Sequence, residues 1–355
     1  MMACLCLARV VNAAPPPCAT LISQIAAGKG AVKVVAFSPE GDRVAYGTGD
    51  DGVHLWRVGT DTAVTAPSGG RWLSFVQRKP RAPWRLLALG ARGTVQIYDP
   101  TTLKRDDWID GCGTHAVLAT RPAILVTTEN ELSETIRLFP LGAENPSERV
   151  TVLPRLVGFV GVLSSLAASA DGSILAFAGT IPAGGADIPS DGFLVFWNRQ
   201  GGARPQVHKL DSTILALATS PEGALAASVG YEGSADMQTG RIHLWDMASG
   251  RLALTLAPQP RGVASAAFRP GAAGGGSGLA RGETLLATGG LDGSLRFWDV
   301  PSGRLRGTMK VDKAITALAF DGPGDRLAVG TDDGVVRVYS VAIPRDAGSD
   351  VSPRR

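Results

Sequence analysis

The sequence predicts an all-β fold: a single seven-bladed β-propeller built from four-stranded blades, its ring closed by an N-terminal strand. Three observations carry this. A unit of short apolar runs and tight turns recurs seven times, and each copy closes its third run on an aromatic residue. Three of the six spacings between those aromatics fall within the ~40 to 45 residues of one four-stranded blade. The last copy lacks an outer strand, while a strand-like segment stands alone before the first.

The closing aromatics are Trp56, Tyr98, Phe139, Trp197, Trp245, Trp298 and Tyr339, with successive spacings of 42, 41, 58, 48, 53 and 41. The clearest copies are the first, V-V-A-F-S-P-E-G-D-R-V-A-Y-G-T-G-D-D-G-V-H-L-W over residues 34–56, and the last, A-L-A-F-D-G-P-G-D-R-L-A-V-G-T-D-D-G-V-V-R-V-Y over 317–339. Their opening runs are apolar at consecutive positions, as strands covered on both faces must be. The third runs alternate: Val53 and Leu55 point one way and His54 the other, as do Leu295 and Phe297 against Arg296. Between the second and third runs stand Asp51-Gly52, Asp191-Gly192, Asp292-Gly293 and Asp333-Gly334. Asp-Gly suits two-residue hairpin turns, in which glycine takes the positive φ. Residues 18–27, C-A-T-L-I-S-Q-I-A-A, are expected to supply the missing outer strand, because joining the two ends removes the last open edge of the ring.

Composition agrees with this. Of 355 residues, 45% are apolar and 19% charged, enough apolar content for a large core, and the 45 glycines and 23 prolines punctuate the apolar runs as turns do. A net charge of +3 gives no global field of the kind that marks a nucleic-acid binder, so none is expected as a partner. Cys4, Cys6, Cys18 and Cys112 form neither a disulfide framework nor a metal knuckle, so no metal and no cofactor are expected. Residues 1–14 are apolar and end in small residues like a short signal peptide, but Arg9 interrupts the apolar centre. A cytoplasmic location is expected, with a secreted or periplasmic one as the alternative if that leader acts. No later run is long and apolar enough to span a membrane. The expected layout is a flexible N-terminal segment over 1–17, the propeller over 18–341 and a disordered tail over 342–355, the whole acting as a monomer.

With L-W-D at residues 244–246, F-W-D at 297–299 and S-P-E-G turns at Ser38 and Ser220, the sequence resembles the WD-repeat β-propeller family over about residues 19–341. The resemblance implies a rigid interaction platform. It also implies buried His-Asp-Ser-Trp hydrogen-bond networks, which should be incomplete here. The family's Gly-His is missing before each first strand, Arg92 replaces the turn aspartate of the second copy, and the third has Ser133.

Catalytic chemistry is not encoded in any recognisable pattern. His54 and His243 occupy equivalent third-strand positions, two before the tryptophan, where the other copies carry Gln96, Arg137, Val195, Arg296 and Arg337. Strand alternation marks this position as solvent-leaning. No nucleophile elbow and no zinc-helix motif occur. Gly28-Lys29-Gly30 lacks both the first glycine and the hydroxyl residue of a phosphate loop.

Insertions point to a binding surface. From the end of the second strand to the closing aromatic, the first and last copies use eight positions, while the fourth (Thr180 to Trp197) and fifth (Ser228 to Trp245) use seventeen. The enlarged loops 181–190 and 229–238 belong to neighbouring blades and leave on one face, which is where repeat arrays commonly bind. Ile188, Tyr231 and Met237 are candidate apolar anchors for a protein or peptide partner, with Asp187, Glu232 and Asp236 as a polar rim. On the opposite face Arg78, Lys79, Arg81 and Arg85 beside Trp84 read as a solvated loop. The expected function is therefore a non-catalytic interaction scaffold. The alternative is a small-ligand-binding or enzymatic propeller that uses the central channel.

Overall fold

Each apolar run forms the strand expected of it. In the first blade these are Val32–Phe37, Arg43–Thr48, Val53–Arg57 and the outer Ala63–Ala66, hydrogen-bonded in chain order as an antiparallel sheet. The computed structural model describes residues 18–343, apart from 29, 49–51, 91, 114, 121–122, 129–135, 143–150, 154–161, 182–190, 200–204, 234–237, 271–283 and 301. Among these residues every element is a strand, and the strands make seven sheets with a four-stranded path each. Inner strands of successive blades touch one another around the ring, and that of the seventh, Ile315–Phe320, returns to Val32–Phe37 of the first.

The core lies between blades, not within one layer. Trp56, Tyr46 and Val44 of the first blade pack with Ala328, Val336 and Val338 of the seventh, and Leu244 and Val229 of the fifth pack with Leu286 and Trp298 of the sixth. Both faces of the inner and middle strands are thus covered, which is why their sequences run apolar at consecutive positions.

Ring closure is as the sequence predicts. Ala19–Ala26 pairs antiparallel with Val335–Val341, from Ala19 opposite Val341 to Ala26 opposite Val335, with a bulge between Leu21 and Ser23. Two flanking bonds extend the seam: the Ala27 amide donates to the Gly334 carbonyl at 2.6 Å and the Ala342 amide to that of Cys18 at 2.9 Å. The weakly matching third copy also completes its sheet, with His115–Thr120, Ala123–Thr128, Ile136–Pro140 and Thr151–Leu153.

Three local expectations are corrected. Asp191-Gly192 is not a turn but the start of the strand Asp191–Asn198, with Asp191 opposite Ile181 and Gly192 opposite Thr180. The glycine is needed there for close approach, since a Cβ at Gly192 would lie 2.0 Å from the Ser212 carbonyl oxygen. Nor are the remaining described Asp-Gly pairs two-residue primed turns. Gly293 (φ 74) and Gly334 (φ 75) are left-handed while their aspartates are not, and each glycine amide bonds the carbonyl three residues back. This is a turn closed by a left-handed glycine, the geometry of a three-residue hairpin loop. Finally, Ser228 pairs with His243 as Tyr46 pairs with His54, so Gly230, not Ser228, matches Thr48 of the first blade.

Candidate partner-binding rim

The turns joining second to third strands and the linkers leading from each outer strand to the next blade share one face, and backbone bonds tie them together. Cys112, Val311 and Ala27 of the linkers donate to Gly93, Gly293 and Gly334 of the turns, and Leu291 of a turn donates to Gly262 of a linker. This bonded rim is where the enlarged loops emerge.

In the fifth blade the extra residues lengthen strands as well as a loop. Leu225–Glu232 and Thr239–Asp246 run for eight residues each and stay paired to their ends, Glu232 opposite Thr239. The projecting hairpin is braced from outside by a short strand absent from the sequence reading, Gln259–Pro260, with Gly240 opposite Gln259 and an isolated bridge from Thr239 to Arg261. Gly240 permits the contact: a Cβ there would fall 2.5 Å from the Arg261 carbonyl oxygen. At the tip Arg241 donates to Glu232 at 2.5 Å.

The structure places Tyr231 and Glu232 at the end of the lengthened second strand of this hairpin, both half-buried. Asp187, Ile188, Asp236 and Met237 lie outside the described residues. Tyr231 meets a partner the sequence did not signal. A Cβ built on Gly262 would touch Leu291 Cδ1 at 2.9 Å and Tyr231 Cδ1 at 3.4 Å, so the two side chains close over that bare backbone across the seam between the fifth and sixth blades.

Next to this seam a buried polar chain fixes the sixth blade. The Trp298 indole donates to Thr288 Oγ1 at 2.9 Å, Gln259 Nε2 donates to the same oxygen at 3.2 Å, and Arg296 donates to Gln259 Oε1 at 2.7 Å and to Asp292 Oδ2 at 2.9 Å. Burial alone would raise the Asp292 carboxyl. Hydrogen bonds from Arg296 and from the amide and hydroxyl of Ser294, with the Arg296 charge, outweigh it and bring the group down to about 2. Arg337 plays the same part in the seventh blade, donating to Thr331 at 2.9 Å and pairing with Asp333 at 3.8 Å.

The position expected to lean into solvent is therefore half-buried and structural. His54 stacks on Tyr46 with ring centroids 4.7 Å apart and lies 3.3 Å from Thr48 Oγ1 and 2.9 Å from Thr65 Oγ1. His243 is held below its ordinary value by burial and then by the Arg241 charge.

A family model of the WD domain, G-beta repeat, matches residues 279–299 and 301–340, the sixth and seventh copies, and the seven closed blades supply the rest of the pattern. The chain carries WD repeats in its last two blades and folds as a seven-bladed β-propeller. No curated protein matches the sequence. In this WD-repeat propeller the expected incompleteness of the buried networks takes a definite form. The fifth and sixth blades keep the indole-to-hydroxyl bond, Trp245 to Ser228 and Trp298 to Thr288, both at 2.9 Å. In the first blade Trp56 instead donates to the Thr60 carbonyl at 2.8 Å. In the third, Thr127 occupies the hydroxyl position but Phe139 has replaced the indole, and the buried Thr127 Oγ1 has no partner.

The basic cluster on the opposite face of the WD-repeat propeller is half neutralised: Arg85 pairs with Asp106 at 2.7 Å, while Arg78 pairs with Asp107 at 3.8 Å and donates to the Leu141 carbonyl. Among the described residues no three His, Cys, Asp or Glu side chains are grouped to hold a metal, and no helix is long and apolar enough to cross a membrane.

Proposed function

We propose that this WD-repeat propeller is a non-catalytic scaffold that binds a protein or peptide partner through the rim of its fourth and fifth blades. One observation carries the reading. The fifth-blade hairpin projects as paired strand, braced by Gln259–Pro260, where the sixth and seventh blades close in tight glycine turns. A loop that merely tolerated extra length would need no brace; a braced projection presents side chains with little entropy left to lose on docking. On the rim the Tyr231 and Leu291 side chains both lie against Gly262, edged by the Glu232 and Arg241 pair. Buried aromatic anchors within polar borders supply most of the energy in protein interfaces.

The test replaces residues 231–240 with a short Asp-Gly turn and compares affinity capture from native cells with that of the intact chain. Loss of one partner, with a cooperative unfolding transition showing that the ring still folds, is the expected result. Capture of the same partners in the same yield by both forms would refute the rim as the binding surface.

A further inference from the structure

We infer that the seam between the fifth and sixth blades takes an acidic peptide segment, with Arg261 binding its carboxylate and the Tyr231 and Leu291 pair receiving an adjacent apolar side chain. The inference rests on the rim reading and names the chemistry of the partner.

Arg261 is the central observation. It is exposed and holds a left-handed backbone (φ 59), a conformation that costs any residue with a Cβ. At the matching place in the first blade stands a glycine with positive φ: Gly30 (φ 100) precedes Val32 by two residues, as Arg261 precedes Val263. A long cation held where glycine would be free of strain is a cost to folding, and such strain concentrates where function requires a particular side chain.

Charge bookkeeping on this stretch of rim points the same way. Arg241 is neutralised by Glu232, and Arg296 and Lys310 are both paired with Asp292. Among the described residues the Arg261 guanidinium has neither a hydrogen bond nor an ion pair. Its backbone is nevertheless fixed, because Thr239 bridges to it and its carbonyl lies against Gly240. The next residue, Gly262, is the one that Tyr231 and Leu291 cover. An unpaired guanidinium on a fixed backbone, one residue from the glycine that a half-buried aromatic and an aliphatic side chain cover, matches a carboxylate next to an apolar residue, since the planar fork binds carboxylates through two parallel bonds.

The test uses the full chain and an array of synthetic short peptides, each with a central Phe or Leu flanked by Asp and Glu, and matched sets flanked by Ser or by Lys. The acidic set is expected to bind. Arg261→Gly should weaken that binding roughly tenfold or more, as removal of one partner of a charge pair does, while thermal unfolding is unchanged or raised because the strain is relieved. Arg261→Glu should shift preference toward the Lys-flanked set. Equal binding of all three sets, or unaltered affinity in Arg261→Gly, would overturn the inference, as would binding to phosphatidylserine vesicles in place of the acidic peptides. If the acidic set fails while capture of a native partner still depends on residues 231–240, the peptide chemistry is wrong and the rim stands. If neither depends on the seam, both fall.

Discussion

Thr127 and Thr288 occupy the same place in two blades, and the same substitution should move stability in opposite directions at the two sites. Thr288 Oγ1 accepts from the Trp298 indole and from Gln259, all of them buried, so Thr288→Val leaves two donors without an acceptor. At ~1 to 3 kcal/mol for each buried group so orphaned, the loss should be about 3 kcal/mol. Thr127 is equally buried, but its hydroxyl has no partner, because Phe139 stands where an indole would donate. Thr127→Val removes that unsatisfied oxygen with no change of shape and should stabilise by about 1 kcal/mol. Thermal unfolding reads both: for a domain of this size a gain of ~1 kcal/mol raises the midpoint by about 2 °C, and the Thr288 variant should fall by about 6 °C. Destabilisation of Thr127→Val to the same extent as Thr288→Val would refute the account of the third blade as carrying half of a hydrogen-bonded pair.

Three further outcomes follow from the geometry. Deleting residues 18–27 strips the outer strand from the seventh blade, opens the seam to Val335–Val341 and should lower the unfolding midpoint of the whole ring; circular dichroism melts identical to those of the full chain would contradict closure. His243 has its folded value depressed below 6.5, so the unfolded chain binds the proton more readily. Its contribution is therefore full above about 6.5 and lost as pH falls through the lower folded value. Urea midpoints measured across that range should decline in the native chain, with a smaller decline in His243→Gln. Gly240→Ala places a methyl 2.5 Å from the Arg261 carbonyl oxygen and should cost ~1 to 3 kcal/mol as the hairpin parts from its brace, read as faster amide hydrogen exchange over residues 239–242 than elsewhere in the ring.

Much of the architecture was legible because propeller physics writes itself into short stretches. Trp56, Trp245 and Trp298 end strands that pack between blades, so the aromatic recurs once per blade, and the orphan segment at 18–27 could pair only where an edge was open. Asp191-Gly192 was misread because the dipeptide is the same whether it turns the chain or, as here, lets a strand pass close to the Ser212 carbonyl; only the pairing partner distinguishes the two. Third-strand alternation correctly set Arg296, Arg337 and His54 apart from their apolar neighbours. It did not show that these side chains reach turn aspartates or cross-strand threonines instead of water, because those partners lie four or more residues away or on another strand. At the rim, insertion length pointed to Tyr231 and Glu232. Leu291 and Arg261 come from the next blade and a linker, and nothing local in the sequence ties them to Tyr231.

The central claim is that a partner docks on the fifth-blade hairpin. It is tested most directly by placing the photo-crosslinking residue p-benzoylphenylalanine at position 231 and, in a separate chain, at position 108, where the native Trp108 is 51% exposed on an outer strand. Irradiation in native cells should give a discrete covalent adduct from position 231 and none from position 108. Adducts from position 108 with none from 231 would contradict the account and move the binding surface to the perimeter of the second blade.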